Sequence, residues 1–434
     1  MKAPVTMFIR HLFFLAAFLV QQDILPAANW GHWRGPTGNG SSPEALPPTD
    51  WGESKNIRWK TPVPGRGSGS PVVWEESVFV VSAVPTAGKS GFDGRSLSRL
   101  AFKLFCFDRG TGKLRWERTA IEALPHEGTH STNGFASASP CTDGEFVYAH
   151  FGSRGLFCFR MDGTPVWKRS DFGKMTTRNE FGEGSSPTIH GDRILVPWDH
   201  DGPSSLYALD RRNGKTLWQA LRKEEPTCWA TPLVVDHEGS KQVIMNGQTC
   251  ARGYDFTTGK ELWRCEGQTQ RPVASAVAIN GLAIVGSGFR GAFIGAFDLE
   301  GRGNLKGTKS VVWDRDRHTP DIASPLISGS RLYYHSGKSG MLTCLDAVSG
   351  EAHYVTERVP EVSRTYASPI AAGGFVYVTG RSGTTVVLKD SKKFEVVGIN
   401  TVGEGVDATP APAGRELFIR GERHLFCIGE GEKE

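Results

Sequence analysis

The stretch Tyr254-Asp255-Phe256-Thr257-Thr258-Gly259-Lys260-Glu261-Leu262-Trp263 decides the fold. An Asp opens a turn, a Gly follows four residues later, and a Trp four after that. Asp hydrogen-bonds its own turn, and Gly supplies the positive φ that the turn needs. The Trp offers a large apolar face to a neighbouring sheet. The pattern returns as Asp108, Gly112, Trp116; as Asp210, Gly214, Trp218; and as Asp346, Gly350, Tyr354. Shortened or expanded copies end in Trp167, after the Asp162-Gly163 turn, and in Trp313.

A second signal alternates with the first. Ser or Thr before Pro opens an apolar run at Ser70, Ser139, Ser186, Thr231, Ser324, Ser368 and Thr409, and Ala274-Ser275-Ala276 is a degenerate copy. The spacings are 69, 47, 45, 44, 49, 44 and 41 residues. Such periods indicate propellers or solenoids. Between the two signals lie runs of period two, such as residues 145–149 and 155–159, as strands require. Each unit reads as four antiparallel strands. Strand A follows the Ser/Thr-Pro step, where a residue lacking N–H is tolerated. Strands B and C are the alternating runs, and strand D ends in Trp. Small Ser and Ala suit a centre where eight inner strands converge.

The ends complete the count. The last unit, from Thr409, stops after strand C at residues 424–428. An orphan D-like run, residues 56–60, precedes the first unit and carries Trp59. If it completes the last sheet, the ring closes without a free edge. The expectation is an all-β, eight-bladed β-propeller closed by its N-terminal strand. Residues 1–28 are expected to be an export signal, 29–53 an N-terminal arm, 54–430 the propeller and 431–434 a tail.

The chain of 434 residues has a formal net charge of +4, 38% hydrophobic and 22% charged residues. That is too apolar for a disordered chain and too evenly charged for a nucleic-acid binder. Lys2 and Arg10 form a basic stretch before the apolar run Leu12–Val20, which is too short to span a bilayer, and Ala27 and Ala28 suit cleavage. The mature chain is expected to begin near Asn29 and to be periplasmic or secreted. No Cys precedes Cys106, so no lipidation cysteine sits at the cleavage point. The eight Cys contain no C-x-x-C pair. Cys106, Cys158, Cys344 and Cys427 recur at one repeat position, as small buried strand residues do. Cys250 and Cys265 flank one hairpin and are the pair to test for a disulfide.

The Asp-x-x-Thr-Gly-Lys-x-x-Trp signature resembles the tryptophan-docking repeat of pyrroloquinoline-quinone (PQQ)-like propellers. The opening segment Asn29-Trp30-Gly31-His32-Trp33-Arg34-Gly35-Pro36 is similar to the start of secreted PQQ-like repeat proteins of planctomycete-type bacteria. The resemblance implies inter-blade docking by Trp59, Trp116, Trp167, Trp218, Trp263 and Trp313. It also implies one of two function classes. Quinoprotein dehydrogenases oxidise alcohols or sugars with PQQ and calcium. BamB-like envelope proteins dock partners without catalysis. No adjacent Cys pair and no haem-attachment motif occurs here, which favours an exported binding or assembly scaffold without cofactor or metal. A PQQ- and calcium-dependent dehydrogenase is the alternative, and a sugar-binding or lyase-type propeller a third.

In a propeller the D-to-A connections gather at one face, and loops carry function. Candidates for a ligand-binding mouth are His126, His130 and Asn133; Arg178 and Glu183; Arg271; His318; Arg364; and Asp407. Glu225 lies in the same set of connections. Arg271 and Arg364 both stand four residues before the strand A serine, and a guanidinium fork matches a carboxylate. Arg178 and Glu183 are expected to pair with each other or with backbone. His126 and His130 are four apart, but Pro125 and Gly128 argue against the helix that a zinc pair would need. Gly88-Lys89-Ser90 lacks the context of a phosphate loop. The partner is expected to be an envelope protein or a polar small molecule.

Overall fold

The computed structural model describes residues 29–86 and 98–430, so the expected export signal, the tail and residues 87–97 lie outside it. Eight antiparallel sheets of four consecutive strand positions form a propeller. The first blade is Val72–Trp74, Ser77–Pro85, Leu100–Asp108 and Leu114–Ala123. The third is Thr188–His190, Arg193–Trp198, Ser205–Asp210 and Thr216–Leu221. In the eighth, Ala411–Ala413, Glu416–Arg420 and His424–Ile428 are joined by Ile57–Pro62 as the outer strand. Two short parallel strands are additions to the four-strand plan. Ser41–Ser42 lies along the seventh blade's inner strand and Gly303–Asn304 along the fourth blade's outer strand. No described helix is long and apolar enough to cross a membrane.

Strand D does not end in Trp. The Trp stands near its start, and Leu114–Ala123 runs seven residues past Trp116. A register shift precedes this position in every blade, although in the seventh it is held by Gly398 rather than an aromatic residue. Such bulges increase local twist and re-aim a side chain. Directly across the ladder from each aromatic residue sits a small residue of strand C. Cys106 faces Trp116, Cys158 faces Trp167, Cys344 faces Tyr354 and Cys427 faces Trp59. Ala208, Gly253 and Ala296 take the same place opposite Trp218, Trp263 and Trp313. The recurrent cysteines are therefore small residues beneath an indole or phenol ring. All eight thiols are buried and free, so Cys250 and Cys265 are not bridged.

The apolar cores lie between sheets. Phe79, Val81 and Phe102 of the first blade pack with Val147, Ala149 and Phe157 of the second. Five of the six tryptophans reach into the next blade. The Nε1–H of Trp59, Trp116, Trp167, Trp218 and Trp313 donates to the carbonyl of Arg109, Met161, Arg211, Phe256 and Ala347, at 2.9–3.1 Å. The turn glycine lies under the ring. At Gly259 (φ +72°) a Cβ would sit 2.5 Å from Trp218, so only glycine fits. Trp263 differs. The next turn is expanded, and Trp263 instead donates to Gln242 Oε1 at 2.9 Å, whose amide donates to the Leu299 carbonyl at 2.7 Å. Gln242 thus relays the bond that the other indoles make directly.

The Ser/Thr positions form a ladder around the axis. The N–H of Ser70, Ser139, Ser186, Thr231, Ser275, Ser324 and Ser368 each donates to the hydroxyl oxygen of the next member, ending at Thr409. The side chain is small because the centre is crowded, and it is an alcohol because each inner strand has an N–H to satisfy. The arm closes the other end of the axis. Trp30 exchanges two backbone bonds with Val73, and Gly31 accepts from Thr142. The buried Arg34 donates to the Pro369 and Pro325 carbonyls, and Asn39 exchanges two bonds with Ala278.

His335 ends strand B of the sixth blade, fully buried, with neither ring nitrogen bonded to a described residue. Burial pulls its pKa from 6.5 down to about 4. The unfolded chain therefore takes up a proton that the folded one refuses. The stability contributed by neutral His335 is complete above pH 6.5 and lost as pH falls toward about 4. At about 1.4 kcal/mol per unit, the loss amounts to roughly 3 kcal/mol. His335→Leu is expected to flatten this acid limb in urea titrations, and an unchanged pH slope would count against the assignment.

Candidate functional site

Strand direction reverses at each step across a blade, so the D-to-A and B-to-C connections share one face. Together they ring an open cavity of about 430 Å³. The D-to-A loops supply His130, Asn133, Phe181, Trp229, Arg271, Tyr366 and Asp407. The B-to-C loops supply Phe289 and Lys338. Six ladder members, Ser70, Ser139, Ser186, Thr231, Ser368 and Thr409, form its base together with Trp33 of the arm. Trp33 also borders a second cavity of about 280 Å³ on the arm side, so it separates the two along the axis.

The loops are braced against one another by acids. Glu183 binds the Ser153 N–H at 2.9 Å and the Arg154 guanidinium. Glu404 accepts from the Arg423 and His424 N–H groups at 3.0 and 2.9 Å. Burial alone would raise the Glu404 pKa, but the His424 side chain and these two donors outweigh it and hold it low. Glu127 caps the Thr177 N–H, and Glu180 caps that of Gly128. In each case a carboxylate is spent on loop architecture, as charge-assisted bonds to backbone N–H groups allow.

Cations remain at the mouth. Arg381 binds Asp407 through two bonds of 2.6 and 3.0 Å and lies 4.2 Å over the Tyr366 ring. Lys338 stands 3.7 Å from Asp321. The Arg271 guanidinium lies 3.3 Å over the Phe289 ring. His130 meets Phe181 edge-on at 5.1 Å and bonds Thr132 Oγ1 at 2.9 Å. Partial burial, then the charges of Lys338, Arg271 and Arg381, push its pKa down.

The structure gathers His130, Asn133, Arg271 and Asp407 at the cavity and places the other sequence candidates elsewhere. His126 bonds the Met175 carbonyl at 2.6 Å, away from His130. Arg178 pairs with Asp201 at 3.2 Å and Glu183 with Arg154, so Arg178 and Glu183 do not pair with each other. His318 and Arg364 are exposed and off the cavity wall. Asn133 holds the loops together, donating to the Phe181 carbonyl at 2.8 Å and accepting from Gly134 N–H at 2.8 Å. Sequence reasoning passed over Phe289 and Lys338, because it considered only the D-to-A loops. It also passed over Phe181, Trp229 and Tyr366, because apolar residues among charged ones read as packing. Their positions just before the Ser/Thr-Pro step were the available signal.

Calcium takes six to eight oxygen ligands, with carboxylates among them. The mouth does not fit that demand. Asp407 is held bidentate by Arg381, and Asp321 faces Lys338. Among the described residues, the one triad of metal-ligating side chains is His237, Glu238 and Glu300, which sits on A-to-B and C-to-D turns at the opposite face.

No curated protein matches the sequence. Among solved structures, BamB from Moraxella catarrhalis is similar, with TM-score 0.56 and 11% identity over 87% of this chain and 98% of that one. Quinohemoprotein alcohol dehydrogenase from Comamonas testosteroni is similar with TM-score 0.60 and 10% identity over 94% of this chain and 81% of that one. At such identities the likeness speaks for the fold alone. A sequence profile described as outer membrane protein assembly factor BamB matches residues 50–170 and 101–354. These matches span more than half of the chain, which therefore belongs to this BamB family of PQQ-like β-propellers.

Proposed function

We propose that the protein is an exported, non-catalytic propeller that serves as a binding and assembly scaffold in the cell envelope, with the loop-ringed mouth as its docking site. The observation that supports this best is the construction of the mouth. Aromatic side chains and a cation not ion-paired to any described carboxylate line a cavity of about 430 Å³. The loops behind it are braced by buried carboxylates. Concave, mostly preformed surfaces with a few placed polar groups are what ligand and partner sites look like. Membership of the BamB family is consistent with partner docking, and residues 1–28 with export.

The test is a thermal melt of the mature protein with and without PQQ plus calcium, read beside the absorbance of the gel-filtered protein. A ligand at 100 times its Kd stabilises by about 2.7 kcal/mol. The expected result is no shift and no retained quinone. Retained quinone with dye-linked alcohol or sugar oxidation would overturn the scaffold reading in favour of a dehydrogenase. N-terminal sequencing of envelope fractions is expected to find a chain beginning near Asn29.

A further inference from the structure

We propose that the mouth is a receptor for a carboxylate borne on an aromatic or apolar body, with Arg271 as its anchor. This rests on the reading of the mouth as a docking site. The first argument is charge. Arg381 and Lys338 each face a carboxylate, Asp407 and Asp321. Arg271 makes no ion pair with any described residue. Its Nε is buried without a hydrogen-bond partner. The guanidinium is packed against the Phe289 ring, which leaves its in-plane donors for a ligand. Arg290 and Lys338 stand 5.4 and 6.0 Å from the same ring, so three cations surround one phenyl group.

The second argument is strain. Arg271 sits at φ +44°, in the left-handed region that a bulky residue rarely adopts, and its N–H is held by Gln248 Oε1 at 3.1 Å. Strained residues persist where the surroundings over-determine them and cluster at ligand clamps. The third argument is the field. Partial burial and the surrounding cations disfavour the charged form of His130, so the positive charge around the Phe289 ring is carried by the Arg271 and Arg290 guanidinium groups rather than by the imidazole. The acids Glu127, Glu180 and Glu183 are turned onto backbone N–H groups of neighbouring loops, those of Thr177, Gly128 and Ser153. Phe181, Trp229 and Tyr366 offer rings for the apolar body.

Two sources share this chemistry, a free organic acid and the C-terminus of a peptide. The test uses the full mature protein and calorimetry, with Trp33 and Trp229 fluorescence as a second readout. The probes are 3-phenylpropionate, its amide, and a tetrapeptide ending in Phe with a free or amidated terminus. The acid is expected to bind saturably and the amide not. Arg271→Gln is expected to weaken acid binding roughly tenfold or more at an unchanged melt, and Arg271→Lys by less. A free-ended peptide that outbinds the acid assigns the source to a chain end, and the reverse assigns it to a small acid. Equal binding of acid and amide, no binding of either pair, or wild-type affinity in a folded Arg271→Gln variant would overturn the inference. Quinone retention that is lost in Arg271→Gln would support this anchor while overturning the scaffold reading. Absent acid binding without quinone retention would do the reverse.

Discussion

Deleting residues 54–61 is expected to abolish the cooperative melt. This segment carries most of Ile57–Pro62, the outer strand of the eighth blade, which pairs with His424–Ile428 from Ile57↔Ile428 to Pro62↔His424. It also reaches forward. Trp59 is 9% exposed, packs 5.9 Å from Phe418 and donates to the Arg109 carbonyl of the first blade. Thr61 donates to the Gly112 carbonyl at 2.8 Å. Glu416 is gripped by Arg58 of this strand and by Arg109. Burying one Trp is worth about 4–6 kcal/mol by area, against a typical total stability of roughly 5–15 kcal/mol. The deletion also bares the edge of His424–Ile428, which invites pairing between chains. Supplying residues 54–62 again after Glu430 is expected to restore a melt, because Gly429 N–H already meets the Asn56 carbonyl at 2.9 Å. A deletion variant that melts like the full chain would show that the ring does not depend on this strand.

The second large effect is expected at Arg222. Its side chain and that of Asp199 are 0% and 1% exposed. Arg222 donates twice to Asp199, at 2.8 and 3.0 Å, once to Tyr254 Oη at 2.7 Å and once to the Asn246 carbonyl at 3.0 Å. Asp199 directly follows strand B of the third blade, while Tyr254 lies in strand C of the fourth, so Arg222 ties two sheets. Removing one partner leaves a buried charge uncompensated. Arg222→Met is expected to cost about 3–5 kcal/mol in urea unfolding. Arg222→Met combined with Asp199→Leu is expected to recover much of that, since an apolar pair removes both desolvation costs. A single variant within about 0.5 kcal/mol of the wild type would refute the assignment.

The segment Arg222-Lys223-Glu224-Glu225 shows why such a network escapes a reading of the chain alone. Four consecutive charges read as a solvated loop. In the fold Glu224 is exposed, whereas Arg222 and Glu225 are buried and Glu225 braces Thr249 and Arg252 of the next blade. Nothing local distinguishes the two glutamates, because the difference is which neighbour lies across the blade seam. Arg271 and Arg364 repeat the lesson. Both stand four residues before a ladder serine, yet only Arg271 lines the cavity. Loops of different length around a ring aim equivalent positions differently.

What the amino-acid sequence determined by itself was the repeat. Turn glycines, period-two strands and the Ser/Thr-Pro step act through local backbone preferences. Eight copies, with one strand displaced to the N-terminus, leave a ring as the arrangement that buries every sheet edge. The tertiary structure alone decided the use of these parts. It turned the ladder hydroxyls into acceptors for the neighbouring blade's N–H, and it turned Trp263 onto Gln242. It laid the arm across the axis and brought Phe289 and Lys338 beside Arg271. Those outcomes depend on contacts between residues tens to hundreds of positions apart, and their geometry exists only once the ring has closed.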